Sequence, residues 1–184
     1  MPIGADVERD NRREFCRIEV CIPFACRLVP PDQQKKIRSH ISGSSAYAGH
    51  EALPEVQDPA IAEWFNLLNR KLDTLIRLLT MEREGFYELP FECINIGGGG
   101  LRFSSREKYR RGDMLEIKMM LSPMHPITLH VYATVSSVAE KGPDGGYSTA
   151  VQFTKMDHTI REEIIRFVFE HEREILRDKK GQRE

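Results

Sequence analysis

Apolar residues recur at every second position in two separate stretches of this 184-residue chain, and between those stretches the spacing changes to alternating fours and threes. A period of two belongs to a strand with one buried face, and four-three spacing belongs to one face of a helix. The pattern therefore demands a sheet structure interrupted by a long helix. Ile18, Val20, Ile22, Phe24, Cys26 and Leu28 share one face of a first strand. Pro23 lies on the opposite face and cannot donate to a ladder, which predicts an edge position or a bulge. After Gly85 the alternation resumes, with segments near Phe86 to Ile96 and Leu101 to Ser104 flanking a run of four glycines. Leu115, Ile117, Met119 and Leu121 share a face of the next strand, and Ile127, Leu129, Val131, Ala133 and Val135 a face of another. Gly142 to Gly146 has hairpin-turn chemistry, and Tyr147, Thr149, Val151 and Phe153 alternate beyond it. Strands at this spacing predict a small antiparallel barrel. A helix from Asp157 or Thr159 to about Asp178 follows. Its apolar positions Ile160, Ile164, Phe167, Val168, Ile175 and Leu176 make one face for docking on the barrel, and Arg161, Glu162, Glu170, Glu172 and Arg173 read as solvated surface.

The interruption has two parts. Pro30-Pro31 opens a stretch through Pro59 that is rich in Ser, Gly, Gln, Pro and charge, read as a long loop with a short helical turn near Gln33 to His40. Asp58-Pro59 then has the form of an N-cap followed by proline at the first helical position. Ile61, Phe65, Leu68, Leu72, Leu75 and Leu79 form a heptad seam along a helix running to about Glu84, stopped by Gly85 and roughly 40 Å long. Trp64, Ile76 and Leu78 flank the seam where a two-stranded coil prefers charge, so the apolar face suits a bundle of several helices. The same pattern serves a helix packed on its own domain, and on spacing alone both arrangements stand.

Charge and composition exclude several functions. Lys+Arg number 27 against 28 Asp+Glu, a net charge of −1, and neither a recognition helix nor an aromatic strand motif is present, which counts against DNA binding. The N-terminus has no apolar stretch of signal-peptide length, and the longest uncharged run, Met119 to Ala139, alternates and contains prolines, so no membrane span is expected. The four cysteines, at 16, 21, 26 and 93, lack metal or haem spacing and read as small apolar residues in a reducing cytoplasm. The six histidines show neither H-x3-H nor H-E-x-x-H spacing, and no serine sits in a G-x-S-x-G elbow, so neither an enzyme nor a metal or cofactor site is supported. His130 reads as a solvent-facing strand residue, since the odd positions of its strand are the apolar ones.

Two segments carry chemistry that folding does not need. Arg12, Arg13 and Arg17 place three guanidiniums just before the first strand, and Asn95-Ile96-Gly97-Gly98-Gly99-Gly100 puts a polar residue and a glycine turn between two later strands. Guanidinium forks bind phosphate oxygens bidentately and stack on purine faces, while glycines let a ligand approach backbone N–H groups. The pair suits a phosphorylated purine ligand.

On these residues the chain resembles the PilZ family of bacterial second-messenger receptors, marked by R-x-x-x-R before the first strand and [DN]-x-S-x-x-G in a later turn. Arg13 and Arg17 match the first motif, with Arg12 ahead of it, and Asn95 and Gly100 match the ends of the second. The resemblance implies a six-stranded antiparallel barrel with a closing C-terminal helix, and a non-catalytic cytoplasmic receptor for cyclic di-GMP acting in signal transduction. It implies that Arg13 and Arg17 take the phosphates and guanine faces with Arg12 as a further cation, that Asn95 bonds a guanine edge, and that Gly100 keeps the turn open. Gly97 stands where the family has serine, which removes a hydroxyl contact of about 0.5–1.5 kcal/mol, up to roughly tenfold in affinity. Gly98 and Gly99 add freedom that ordering must remove. The domain implied is 9–178, with barrel segments 9–30 and 86–156 and the C-terminal helix 157–178, interrupted by a loop and long helix at 31–85. Some PilZ-type proteins carry long helices that assemble them into tetramers, which turns the expectation for helix 58–84 toward a homo-oligomeric dimer or tetramer. Those relatives include members that lost ligand-binding residues, so the alternative is a PilZ-like assembly module with weakened or lost nucleotide binding. A downstream protein partner leaves no signature.

Overall fold

The computed structural model describes residues 16–35, 37–42, 56–121, 127–141 and 145–181, with side chains through 177. Seven strands appear in chain order: β1 (Arg17–Leu28), β2 (His40–Ile41), β3 (Phe91–Gly97), β4 (Gly100–Ser105), β5 (Met114–Met120), β6 (Thr128–Glu140) and β7 (Tyr147–Thr154). Among the described residues two α-helices, α1 (Pro59–Arg83) and α2 (His158–Gly181), and a short 3-10 turn at Phe86–Glu88 accompany them. The sheet order β6-β5-β1-β3-β4-β7 closes through a further β6–β7 pairing, so six antiparallel strands form a barrel and β2 adds to β6. The glycine-rich hairpin residues 142–144 and the 122–126 connection fall outside the described residues, as do Arg12 and Arg13.

Pro23 is neither at an edge nor in a bulge. Residues 17–23 of β1 pair with β3 and residues 24–28 with β5, so the proline stands where the strand exchanges partners. There its missing N–H interrupts no ladder. The bulge falls instead in β6, between Val135 and Ser137, and lets that strand continue to Glu140. The segment after β1 makes a turn and then β2, not a helix, because His40 and Ile41 find open pairing positions beside His130 and Leu129.

The inward residues of the strands, among them Ile18, Ile96, Leu101, Leu115, Ile117, Leu129, Val131 and Val151, form one core with Ile160, Ile164, Phe167 and Val168 of α2. Ile175 and Leu176, expected on that docking face, are exposed. At 1.5 Å per residue Leu176 lies about 12 Å beyond Val168, past the reach of the core.

Asp58 caps α1, its Oδ1 accepting from Ala60 N at 2.9 Å, and Gly85 ends it at φ 72°. Helix α1 packs on the barrel through its last turn, where Met81 joins Phe86 and Met120 in a small second core. Lys118 Nζ donates to the Glu84 carbonyl at 2.9 Å, and the Ser42 hydroxyl donates to the Glu84 carboxylate. The rest of its apolar row is in water, with Trp64 66% and Leu68 52% exposed.

His130 is mostly buried rather than solvent-facing, because β2 pairs alongside β6 there and sets the His40 ring against it, with Tyr132 stacked on the other side. It bonds the Glu116 carboxylate, which is buried and also accepts from Arg27 and from the Tyr132 hydroxyl at 3.3 Å. Desolvation, with the neighbouring charges of His40, Lys118 and Arg27, lowers the imidazole pKa to about 4. At neutral pH the ring is therefore uncharged and donates Nε2–H to the carboxylate. The expectation for two cysteines also changes: Cys21 and Cys93 face each other across β1 and β3 on the exposed side and form a disulfide, and Cys26 is half-buried against Tyr109. The two that bond lie on the outer barrel face, where a small apolar core residue has no place.

Candidate functional site

The two motifs meet through strand pairing. Antiparallel register sets Arg17 opposite Gly97 and Glu19 opposite Asn95, far apart though they stand in the chain. Arg17 Nη1 donates to Asn95 Oδ1 at 3.4 Å, and both side chains are half-buried. That contact orients the amide so that Nδ2 is left as a donor.

The glycines are held by close backbone approach. A Cβ at Gly97 would stand 2.6 Å from the Cys16 carbonyl oxygen and 2.8 Å from Arg17 Cγ. A Cβ at Gly100 would stand 2.1 Å from the Val151 carbonyl oxygen. Neither has a positive φ, so close approach rather than turn conformation demands glycine there. The turn is tied from outside, as Phe153 N donates to the Gly99 carbonyl at 3.1 Å.

Asn95 lines a cavity of about 260 Å³ on the outer face of the barrel, with Glu19, Cys93, Arg102, Ser104 and Lys141 around it. The volume is slightly below the ~300–1,000 Å³ of small-molecule pockets, so it fits one end of a larger ligand. Glu19, Arg102 and Lys141 belong to neither motif. Strand phase alone placed Glu19 two positions from Arg17 on the same face, but only register brings Arg102 opposite Asn95. Strand register brings Arg17, Asn95, Gly97 and Gly100 together; Arg12 and Arg13 lie outside the described residues. Among the described residues no group of three His, Cys, Asp or Glu is arranged to hold a metal ion, and no helix is long and apolar enough to cross a membrane.

The strands from β3 to β7 and the start of α2 have a counterpart in a family comparison. The PilZ domain model matches residues 71–170, more than half of the chain. The chain belongs to the PilZ domain family. The matched part runs from within α1 through β3 to β7 and into α2, and leaves out β1 and its arginines. No curated protein matches. Among solved structures, a protein from Xanthomonas campestris described as a tetrameric PilZ domain self-assembled via a helical bundle aligns with TM-score 0.57 and 17% identity. The alignment covers 88% of this chain and 91% of that one, a likeness of fold.

Proposed function

We propose that this PilZ chain is a non-catalytic receptor and adaptor for cyclic di-GMP, which signals through a ligand-induced change of conformation. One observation carries the reading: Arg17 of the first motif and Asn95 of the second are bonded to each other, and Asn95 lines a cavity on the barrel surface. In this reading the guanidiniums of Arg12, Arg13 and Arg17 take phosphates and guanine faces, and Asn95 bonds a guanine edge. Gly97 contributes backbone only, and Gly100 sets the β4–β7 packing that positions the turn. The N-terminal arginine segment closes over the ligand and changes the surface offered to a partner. Titration calorimetry on the full chain tests this. Wild type is expected to bind, and Arg17→Ala to weaken binding about ten- to hundredfold, the worth of a charged hydrogen bond. No heat from wild type at near-millimolar ligand refutes the receptor reading.

The same chain is built for assembly. Ile61, Phe65, Leu68, Leu72, Leu75 and Leu79 run as an apolar row along α1, all 47% exposed or more. A single helix face of this size is stable in water when other helices cover it, and a second copy of the chain supplies them. The helical bundle described for the Xanthomonas protein supports that occupant. In this proposal residues 31–85 are an assembly insertion in a domain at 9–178. Gly97 in place of the motif serine favours a second reading, an assembly module whose nucleotide binding has weakened, and the same calorimetry separates the two.

A further inference from the structure

Beside Asn95 the barrel carries charged residues that belong to neither motif. Register sets Glu19 of β1 opposite Asn95 of β3, and Asn95 opposite Arg102 of β4, so the three form a row across neighbouring strands. Neighbouring strands lie about 4.8 Å apart, which puts Glu19 within reach of a group bonded to Asn95. All three line the same cavity, and Glu19 is exposed, with no ion-pair partner among the described residues.

The row has a defined hydrogen-bond polarity. Arg17 occupies Asn95 Oδ1, which leaves Nδ2 as a donor, and the Glu19 carboxylate is an acceptor only. A donor beside a two-oxygen acceptor complements one base edge. Guanine presents O6 as an acceptor beside the N1–H and N2–H donors, whereas adenine presents N6–H2 beside an acceptor N1. We infer that Glu19 is the base-specificity residue of this site: its carboxylate accepts guanine N1–H and N2–H while Asn95 Nδ2 donates to O6. Arg102 and Lys141, on the other side of Asn95, provide cations toward a phosphate. Adenine would set its N6–H2 against the Asn95 amide donor and its N1 lone pair against the carboxylate, so it is rejected. This inference rests on the cyclic di-GMP reading and adds the residue that selects the base.

The test uses the full chain and three ligands: cyclic di-GMP, its inosine analogue, which lacks the N2 amino group, and cyclic di-AMP. Calorimetry on wild type is expected to favour guanine over inosine by about tenfold and to show no adenine binding. Glu19→Ala should lose about ten- to hundredfold for the guanine ligand and bind guanine and inosine equally. Arg102→Ala should weaken both ligands alike and keep their ratio. A Glu19→Ala protein that keeps the wild-type guanine-to-inosine ratio overturns the inference while leaving the receptor reading intact. A wild type that binds none of the three overturns both. Glu19→Gln, which preserves shape, should also lower the ratio, and an unchanged ratio there counts against Glu19.

Discussion

Restoring the family serine at position 97 separates what a motif implies from what this backbone allows. Motif logic expects Gly97→Ser to regain a hydroxyl contact and bind up to tenfold more tightly. The geometry argues the reverse. The new Cβ would stand 2.6 Å from the Cys16 carbonyl oxygen, against an ordinary contact of about 3.5 Å, so the β1 and β3 backbones must part by roughly 1 Å. The second clash, 2.8 Å to Arg17 Cγ, pushes away the arginine that bonds Asn95. Overpacking of this kind costs about 1–3 kcal/mol. At about 2–4 °C per kcal/mol for a chain of this size, the midpoint should fall by roughly 2–12 °C. Binding should weaken by about ten- to hundredfold as Arg17 is displaced. Thermal unfolding by circular dichroism and calorimetry with cyclic di-GMP read the two effects. Gly100→Ala serves as the comparison, since its Cβ meets the Val151 carbonyl at 2.1 Å and should destabilise at least as much. An unchanged midpoint together with a gain in affinity for Gly97→Ser would refute the reasoning.

Two further outcomes follow from the helix and the buried cluster. Leu68→Asp with Leu75→Asp places charges on residues 52% and 55% exposed in a single chain, so the fold should survive while light scattering shows a fall to single-chain mass; an unchanged particle mass removes the α1 bundle. Because the His130 pKa is lowered from 6.5 to about 4, the unfolded chain binds the extra proton between those values and stability rises with pH across that window. Its contribution is fully present above pH 6.5 and lost as the pH falls toward 4. His130→Gln should flatten that part of the urea-unfolding profile, and a slope equal to wild type would show that the proton is taken up elsewhere.

Much of the architecture is written in local pattern. Alternation in β1, β5, β6 and β7 marks each strand because one face is buried and one is not, and Asp58-Pro59 with Gly85 marks the limits of α1 because caps are local chemistry. The arginine segment is legible because the core has no use for its side chains, whereas Gly97 and Gly100 prove to be required by close backbone approach, which spacing does not reveal. What spacing could not supply was which strand lies beside which. β2 leaves no pattern because two residues carry no period, and alternation does not place Pro23 because a single strand has two partners along its length. The environment of His130 is not written in its own strand, because His40, which packs against it, lies 90 residues earlier.

The sequence by itself determined the kinds of element, their order, the apolar row of α1 and the residues of the two motifs, since periodicity and side-chain chemistry are properties of neighbours in the chain. The tertiary structure alone decided that Arg17 reaches Asn95, that Glu19 and Arg102 flank it, and that position 97 excludes any side chain. The physical reason is register. In a closed antiparallel barrel a shift of one residue would turn each of these side chains to the other face, and only the complete set of strand pairings, satisfied together, fixes which residues share the site.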